Sequence, residues 1–397
     1  MDITIYPGKL RGTVAAIPSK SHAHRALICA AFADKPTRII CPETNRDMEA
    51  TAACLRTLGA KITRNAQGFF VEPVVEIPET PVLPCCDSGS TLRFLLPVAG
   101  ALGCNARFTM TGRLPERPLS PLWEEMERMG CRLSRPTKNT IVCGGKLHPG
   151  EYTIDGGVSS QFLTGLLMAF PLLAGTSTLT VTGRAESRNY VDMTLDTMRG
   201  FGVEAGDLRG SQGRYCSPGE LTVEGDWSNA AFFLTANHLG SEVAVTGLKE
   251  NSSQGDRVIT EILPKLSMEN PVSARDIPDL IPILSVAAAA GQGGMFTDIR
   301  RLRLKESDRV QSILDCIAAL GGRAEADENT LRVFGTELRG GVVDSRNDHR
   351  MAMSAAIAAT ACREPVTILG AECVEKSYPE FFSIFASLGG HYEQYLR

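Results

Sequence analysis

One pattern recurs six times along the chain and constrains its fold more than any other feature. An apolar, almost uncharged helical segment opens on a small polar residue: Ser19 to Asp34, Ser88 to Gly103, Ser159 to Gly175, Ser228 to Gly240, Asp279 to Gly291 and Asp348 to Ala361. A strand-like segment follows, as in Thr37-Arg38-Ile39-Ile40 or Thr178-Leu179-Thr180-Val181. Next comes an amphipathic helix whose end is marked by Gly, in Leu58-Gly59-Ala60, Met129-Gly130-Cys131, Phe201-Gly202-Val203, Leu320-Gly321-Gly322 and Leu388-Gly389-Gly390. Glycine there is the residue that closes a helix in the left-handed conformation. Copies follow one another at roughly 70 residues, except that the fourth, near Trp227, and the fifth, near Ile277, are only about 50 apart. The fourth copy is therefore truncated, with Lys265-Leu266-Ser267-Met268-Glu269-Asn270-Pro271 where its helix end and closing strands are expected.

This periodicity predicts a two-domain inside-out α/β fold built from six βαβαββ-type repeats, three per domain. In each repeat the helix that is apolar all round is central, and the amphipathic one covers the sheets. A chain of 397 residues also exceeds what one hydrophobic core usually organises. The expected domains are residues 1–12 with 225–397, and 13–224, with a crossover near Thr222 to Asp226. The N-terminal strand, Ile3 to Tyr6, fits beside either half. With 43% hydrophobic and 22% charged residues the chain packs rather than staying disordered. Its net charge of −4 opposes general binding of nucleic acid, so any basic site is local.

Twelve cysteines without a Cys-x-x-Cys spacing form neither a disulfide framework nor a metal site, and no metal is expected. Met1-Asp2-Ile3-Thr4 lacks the basic and apolar regions of a secretory signal, which makes the cytoplasm the expected compartment. The longest uncharged span, Gly156 to Gly183, is interrupted by Pro171 and Gly175 and reads as buried helix, turn and strand rather than a membrane span.

Parallel buried helices that begin at one end of a domain present free N–H groups and partial positive charge to anions. The residues at these helix starts are polar: Lys20-Ser21 with Arg25, Asp87-Ser88-Gly89-Ser90 with Arg93, Ser159-Ser160-Gln161, Asp279, and Asp348-His349-Arg350. Ser and Asp are ordinary N-caps. Capping leaves Lys20, Arg25, Arg93, Gln161 and Arg350 unexplained, since such groups are costly in apolar surroundings without an acidic partner. Together they favour an anionic ligand. His349 reads as a capping or orienting imidazole, and His22 and His24 read as structural.

Several stretches resemble the 3-phosphoshikimate 1-carboxyvinyltransferase (EPSP synthase) family. They are Pro18-Ser19-Lys20-Ser21-x-x-x-Arg25-Ala26-Leu27, Ser88-Gly89-Ser90-x-x-Arg93, Glu116-Arg117-Pro118, Ser159-Ser160-Gln161, Lys305-Glu306-Ser307-Asp308-Arg309, Asn347-Asp348-His349-Arg350-Met351-Ala352-Met353 and Lys376-Ser377-Tyr378-Pro379. The resemblance implies transfer of the enolpyruvyl group from phosphoenolpyruvate to the 5-hydroxyl of shikimate 3-phosphate, in a cleft between two domains that anions close. It implies a phosphoenolpyruvate site that also takes glyphosate. It places Lys20, Ser21, Arg25, Ser159, Ser160, Gln161, Ser187, Tyr190, Asp279 and Lys305 around shikimate 3-phosphate. It places Lys20, Gly89, Arg117, Gln161, Arg309, Arg350 and Lys376 around phosphoenolpyruvate. Asp279 becomes the candidate base for the 5-hydroxyl, Glu306 the group for proton traffic at the methylene carbon, and Lys20 the cation near the departing phosphate. Such chemistry needs acid–base groups and charge stabilisation, with no cofactor. The partners implied are the two small substrates, with no nucleic acid or membrane, and a monomer is expected.

Three departures stand out against the family pattern. Asp87 replaces the usual Asn, Ser90 the usual Thr, and Arg301 a frequent Asn. The sister enzyme acting on UDP-N-acetylglucosamine uses Lys-Asn where this chain has Lys20-Ser21, and commonly a Cys where it has Gly112. A non-catalytic anion binder on the same repeat is the other alternative, but it gains nothing from Asp279 and Glu306 beside the cations.

Overall fold

The computed structural model describes residues 1–183, 187–204 and 214–395. The chain forms two compact units, Met1–Ile17 with Gly225–Arg397, and Pro18–Glu224. It opens in the first unit with β1 (Asp2–Ile5) and β2 (Arg11–Ala15). The second unit holds α1 (Lys20–Ala31), β3 (Thr37–Ile40), α2 (Arg46–Thr57), β4 (Lys61–Asn65), β5 (Gly68–Glu72), β6 (Val82–Cys86), α3 (Gly89–Leu102) and β7 (Ala106–Met110). It continues through α4 (Leu122–Arg128), β8 (Cys131–Thr137), β9 (Thr140–Gly145), β10 (Glu151–Asp155), α5 (Ser160–Ala169), β11 (Thr178–Thr182), α6 (Arg188–Gly200) and β12 (Glu220–Thr222).

Back in the first unit come α7 (Trp227–His238), β13 (Glu242–Thr246), α8 (Ile259–Ile262), β14 (Val272–Ser273), α9 (Ile281–Ala290) and β15 (Gly294–Thr297). Then follow α10 (Arg309–Ala319), β16 (Arg323–Ala326), β17 (Thr330–Phe334), β18 (Gly341–Asp344), α11 (His349–Ala359), β19 (Val366–Leu369), α12 (Phe381–Ser387) and β20 (Tyr392–Tyr395).

Four sheets repeat one arrangement, a parallel pair extended by two antiparallel strands: β12-β3-β5-β4, β6-β7-β9-β8, β14-β15-β17-β16 and β18-β19-β1-β20. The repeat is thus an α/β unit in space as well as in sequence. β1 lies antiparallel between β19 and β20, which assigns the N-terminal strand to the first unit. β2 pairs in parallel with β13, Arg11 opposite Glu242 through Ala15 opposite Thr246. That pairing carries the first crossing to Ile17, beyond the expected 12/13 boundary.

The six apolar helices α1, α3, α5, α7, α9 and α11 are buried along most of their length and supply the two cores. Gly165 permits the close approach of α5 to α3, because a Cβ there would lie 2.2 Å from the Arg93 carbonyl oxygen. The amphipathic helices end as the sequence predicts, with φ of 107° at Gly59, 109° at Gly130, 73° at Gly202, 80° at Gly321 and 89° at Gly389.

Two helix starts differ from expectation. α7 begins at Trp227 under an Asp226 cap, one residue before Ser228. α9 begins only at Ile281, after Leu280 and with Pro282 in its first turn, so Asp279 is not a cap and its carboxylate is left to the cations. The fourth repeat is short: after β13 come helical turns from Gly255 to Lys265, and then the two-residue β14 beside β15. Among the described residues no closing hairpin follows them in this repeat.

Candidate active site

In the second unit Ser19, Ser88 and Ser159 cap α1, α3 and α5, accepting from the N–H groups of His22, Thr91 and Gln161. These helix starts are laced together. Arg25, 2% exposed, donates from Nε to Thr194 Oγ1 at 2.8 Å, from Nη1 to the Ser21 carbonyl at 2.6 Å, and from Nη2 to the Tyr190 carbonyl at 2.9 Å and Thr164 Oγ1 at 3.3 Å. Its guanidinium also stacks on Phe94, 5.0 Å from the ring centre. No carboxylate is among these partners, and burial draws its pKa down to about 10. A buried cation held by neutral groups suits a ligand that brings its own negative charge.

A second knot joins α3 to α5. Arg93 Nη1 donates to Gln161 Oε1 at 2.7 Å, and Gln161 Nε2 donates to Ser90 Oγ at 3.0 Å. Gly89, the first residue of α3, lies against Arg117: a Cβ built on it would sit 2.7 Å from Arg117 Nη1. Lys20, the first residue of α1, pairs with Asp47 at 3.0 Å. A buried chain, His24 Nδ1 to Thr51 Oγ1 at 2.7 Å, Thr51 to Thr91 at 2.7 Å, and Thr91 to Ser88 Oγ at 2.8 Å, fixes α1, α2 and α3 to each other. His24 is structural, as expected, and His22 Nδ1 accepts from the Glu224 N–H. Ser187, buried with φ of 55°, precedes α6, whose first turn carries Tyr190. Ser160 opens α5 and is buried. Asp87 sits two residues ahead of Gly89 with its Cβ 3.2 Å from where a side chain on Gly112 would begin.

In the first unit one ionic cluster gathers residues at or just ahead of the starts of α9, α10 and α11. Asp279 Oδ1 accepts from Arg309 Nη1 at 2.7 Å and lies 3.8 Å from Lys305 Nζ, while its Oδ2 accepts from Arg350 Nη2 at 3.2 Å. Arg309, 1% exposed, also donates to Glu306 Oε2 at 3.0 Å and to Asp348 Oδ2 at 2.8 Å. Asp348 caps α11, accepting from the Arg350 N–H at 3.0 Å, and takes a further bond from Ser307 Oγ at 3.0 Å. Arg309 is thus a buried cation held by three carboxylates rather than a solvated residue of a helix start. Lys376 is buried at the end of the helical turn Ala371–Lys376.

Burial pushes the Asp279 carboxyl up, but Arg350, Lys305 and Arg309 outweigh it and hold the group well below the usual carboxylate range. Burial lowers Lys305 to about 8, against the pull of Asp279 in the opposite direction. Two acids absent from the sequence reading belong to these clusters. Asp47 lies in the first turn of α2, where an acid also suits the helix dipole, so nothing in the sequence distinguishes it. Asp256, in the truncated repeat, accepts from Ser228 Oγ. The only signal for it was a polar run, Ser252-Ser253-Gln254-Gly255-Asp256, at the start of the shortened helical segment.

A profile of the family described as EPSP synthase (3-phosphoshikimate 1-carboxyvinyltransferase) matches residues 5–385. A relative named 3-phosphoshikimate 1-carboxyvinyltransferase from Clostridium kluyveri is 38% identical, with 99% of this chain and 98% of that one covered. Another of the same name, from Clostridium botulinum strain Alaska E43, is 37% identical over 98% of each chain. Among solved structures, an EPSP synthase from Acinetobacter baumannii superposes with a TM-score of 0.80 at 24% identity, covering 99% of this chain and 100% of that one. The enolpyruvyl transferase NikO from Streptomyces tendae gives 0.74 at 18% identity, covering 99% of this chain and 98% of its own. These two share the fold.

Proposed function

The chain belongs to the EPSP synthase family, and we propose that its two residue clusters divide the work of that family's reaction, transfer of the enolpyruvyl group from phosphoenolpyruvate to the 5-hydroxyl of shikimate 3-phosphate with release of phosphate. The observation that carries this reading is Asp279 held among Lys305, Arg309 and Arg350 with Glu306 on the same arginine. Two carboxylates within a cluster of cations supply proton transfer where anions bind, which a plain anion binder does not require.

In this reading Arg25, Ser21, Ser159, Ser160, Gln161, Ser187, Tyr190 and Lys305 hold shikimate 3-phosphate, whose hydroxyls and phosphate match hydroxyl, amide and cationic groups. Lys20, Gly89, Arg117, Gln161, Arg309, Arg350 and Lys376 hold phosphoenolpyruvate; guanidinium groups suit its planar carboxylate and its phosphate. Asp279 takes the proton of the 5-hydroxyl as that oxygen bonds to the enol carbon. Glu306 delivers a proton to the methylene carbon and removes one from the resulting methyl as phosphate leaves. Lys20 stabilises the departing phosphate, steadied by Asp47.

A carboxylate gripped by three cations is a weak base. Anionic substrates that draw Arg309 and Arg350 onto themselves raise its basicity at the moment it is needed. The twelve free cysteines, ten of them buried, support a reducing compartment such as the cytoplasm. Among the described residues no helix is long and apolar enough to cross a membrane. Release of phosphate from phosphoenolpyruvate, measured with and without shikimate 3-phosphate, tests the reading. Release that does not depend on shikimate 3-phosphate would overturn it.

A further inference from the structure

The truncated fourth repeat has a role that its sequence does not announce. Its segment Ser252–Asp256 is wired into the start of α7. Gln254 Oε1 accepts from the Trp227 N–H at 3.0 Å, Gln254 Nε2 donates to the Gly225 carbonyl at 2.8 Å, and Trp227 Nε1 donates to the Lys249 carbonyl at 3.1 Å. This delivers Asp256, 2% exposed, to the first turn of α7, where Ser228 Oγ donates to its Oδ2. Ser228 in turn offers its carbonyl to Arg350 Nη1 at 3.3 Å, and the other arm of Arg350 goes to Asp279. Asp256 Oδ1 and Arg350 Nε are both buried without a hydrogen-bond partner among the described residues.

We propose that Asp256 is a positioning residue for the enolpyruvyl donor: through Ser228 it fixes the guanidinium of Arg350 in the orientation that receives phosphoenolpyruvate. The proposal rests on the placement of Arg350 at that substrate. Four groups face Asp256: Ser228 and the cap Asp226 from α7, Asp279 from the turn before α9, and Arg350 from α11. Burial, then Asp279, lifts its carboxyl to about 7, while Arg350 and the Ser228 hydroxyl act the other way. Protonated, Asp256 is a neutral post that holds Ser228. Ionised, it adds negative charge beside Arg350 and opposes an anionic ligand there.

The test is a set of KM values for both substrates across pH. Asp256→Ala should raise KM for phosphoenolpyruvate about tenfold or more, with KM for shikimate 3-phosphate within about twofold. Asp256→Asn, which keeps shape and neutrality, should return KM for phosphoenolpyruvate to within about threefold of wild type at low pH. It should also abolish the part of the wild-type rise that sets in above about pH 7. Equal effects of Asp256→Ala on both KM values, or superimposable pH profiles for wild type and Asp256→Asn, overturn the proposal. Arg350→Lys reads the underlying placement separately. An unchanged KM for phosphoenolpyruvate in that variant removes Arg350 from the substrate and the proposal with it. A raised KM there beside unchanged values in both Asp256 variants overturns the role of Asp256 alone.

Discussion

Replacing Gly89 by alanine adds one carbon at a place where the surroundings are known in detail. The new Cβ lies 2.7 Å from Arg117 Nη1, 3.2 Å from Arg117 Cζ and 3.2 Å from Arg93 Nη1. Ordinary contact needs about 3.5 Å or more, so the Arg117 guanidinium must retreat by about 0.8 Å. Arg93 yields less, being anchored to Gln161 at 2.7 Å. A charge-assisted hydrogen bond contributes about 1.5–3 kcal/mol. If Arg117 loses about half of one to phosphoenolpyruvate, the loss of about 0.8–1.5 kcal/mol raises KM by about 4- to 12-fold. Glyphosate, bulkier against the same wall, should lose more, so its inhibition constant rises by a larger factor.

Stability should not fall, because alanine is the better helix former and Gly89 is not at a left-handed φ. The assay is KM for phosphoenolpyruvate and the inhibition constant for glyphosate at saturating shikimate 3-phosphate. Each is expressed as mutant over wild type, which cancels the carboxylate of Asp87 two residues away. Equal factors, or no change in either, would show that the wall formed by Gly89 and Arg117 is not where these anions bind.

Asp279→Asn should bind shikimate 3-phosphate within a few-fold of wild type yet lose turnover by about two orders of magnitude or more, read by titration calorimetry and steady-state rates. Arg309 keeps Asp348 and Glu306 in that variant, so the fold should survive; near-normal turnover would end the assignment of Asp279 as base. Lys305, at about 8, should lose its charge as pH rises through that value, and KM for shikimate 3-phosphate should climb there, whereas Lys305→Arg stays flat. Since Lys305 binds its proton less tightly folded than unfolded, the same group makes stability increase with pH between about 8 and 10.5, a trend that denaturant midpoints across this range would reveal.

What the sequence disclosed and what it withheld divide along a physical line. The apolar helices and their glycine ends were legible because each is specified locally, by period and cap, and the same message is written six times. Arg25, Arg93 and Arg350 were legible as well, since a cation inside an apolar stretch is conspicuous wherever its partner lies, whereas Arg309 entered only through the family resemblance. Asp47 and Asp256 were not legible. Asp47 meets Lys20 across 27 residues and Asp256 meets Ser228 across 28, and each sits where an acid is unremarkable on local grounds.

Asp279 shows the same limit from the other side. Its residue type pointed to the site, but its position next to an apolar run read as a cap, and only the late start of α9 frees the carboxylate for Arg309 and Arg350. The truncated repeat completes the argument. Shortening it removes the closing hairpin and leaves only short helical turns, changes that read in sequence as loss. In space the shortened segment folds back on α7 and brings a carboxyl to Ser228, which contacts one of the two arginines on Asp279. A departure from a repeat can therefore bring a covering segment to the helix starts where the chemistry lies, and here the fourth copy does so.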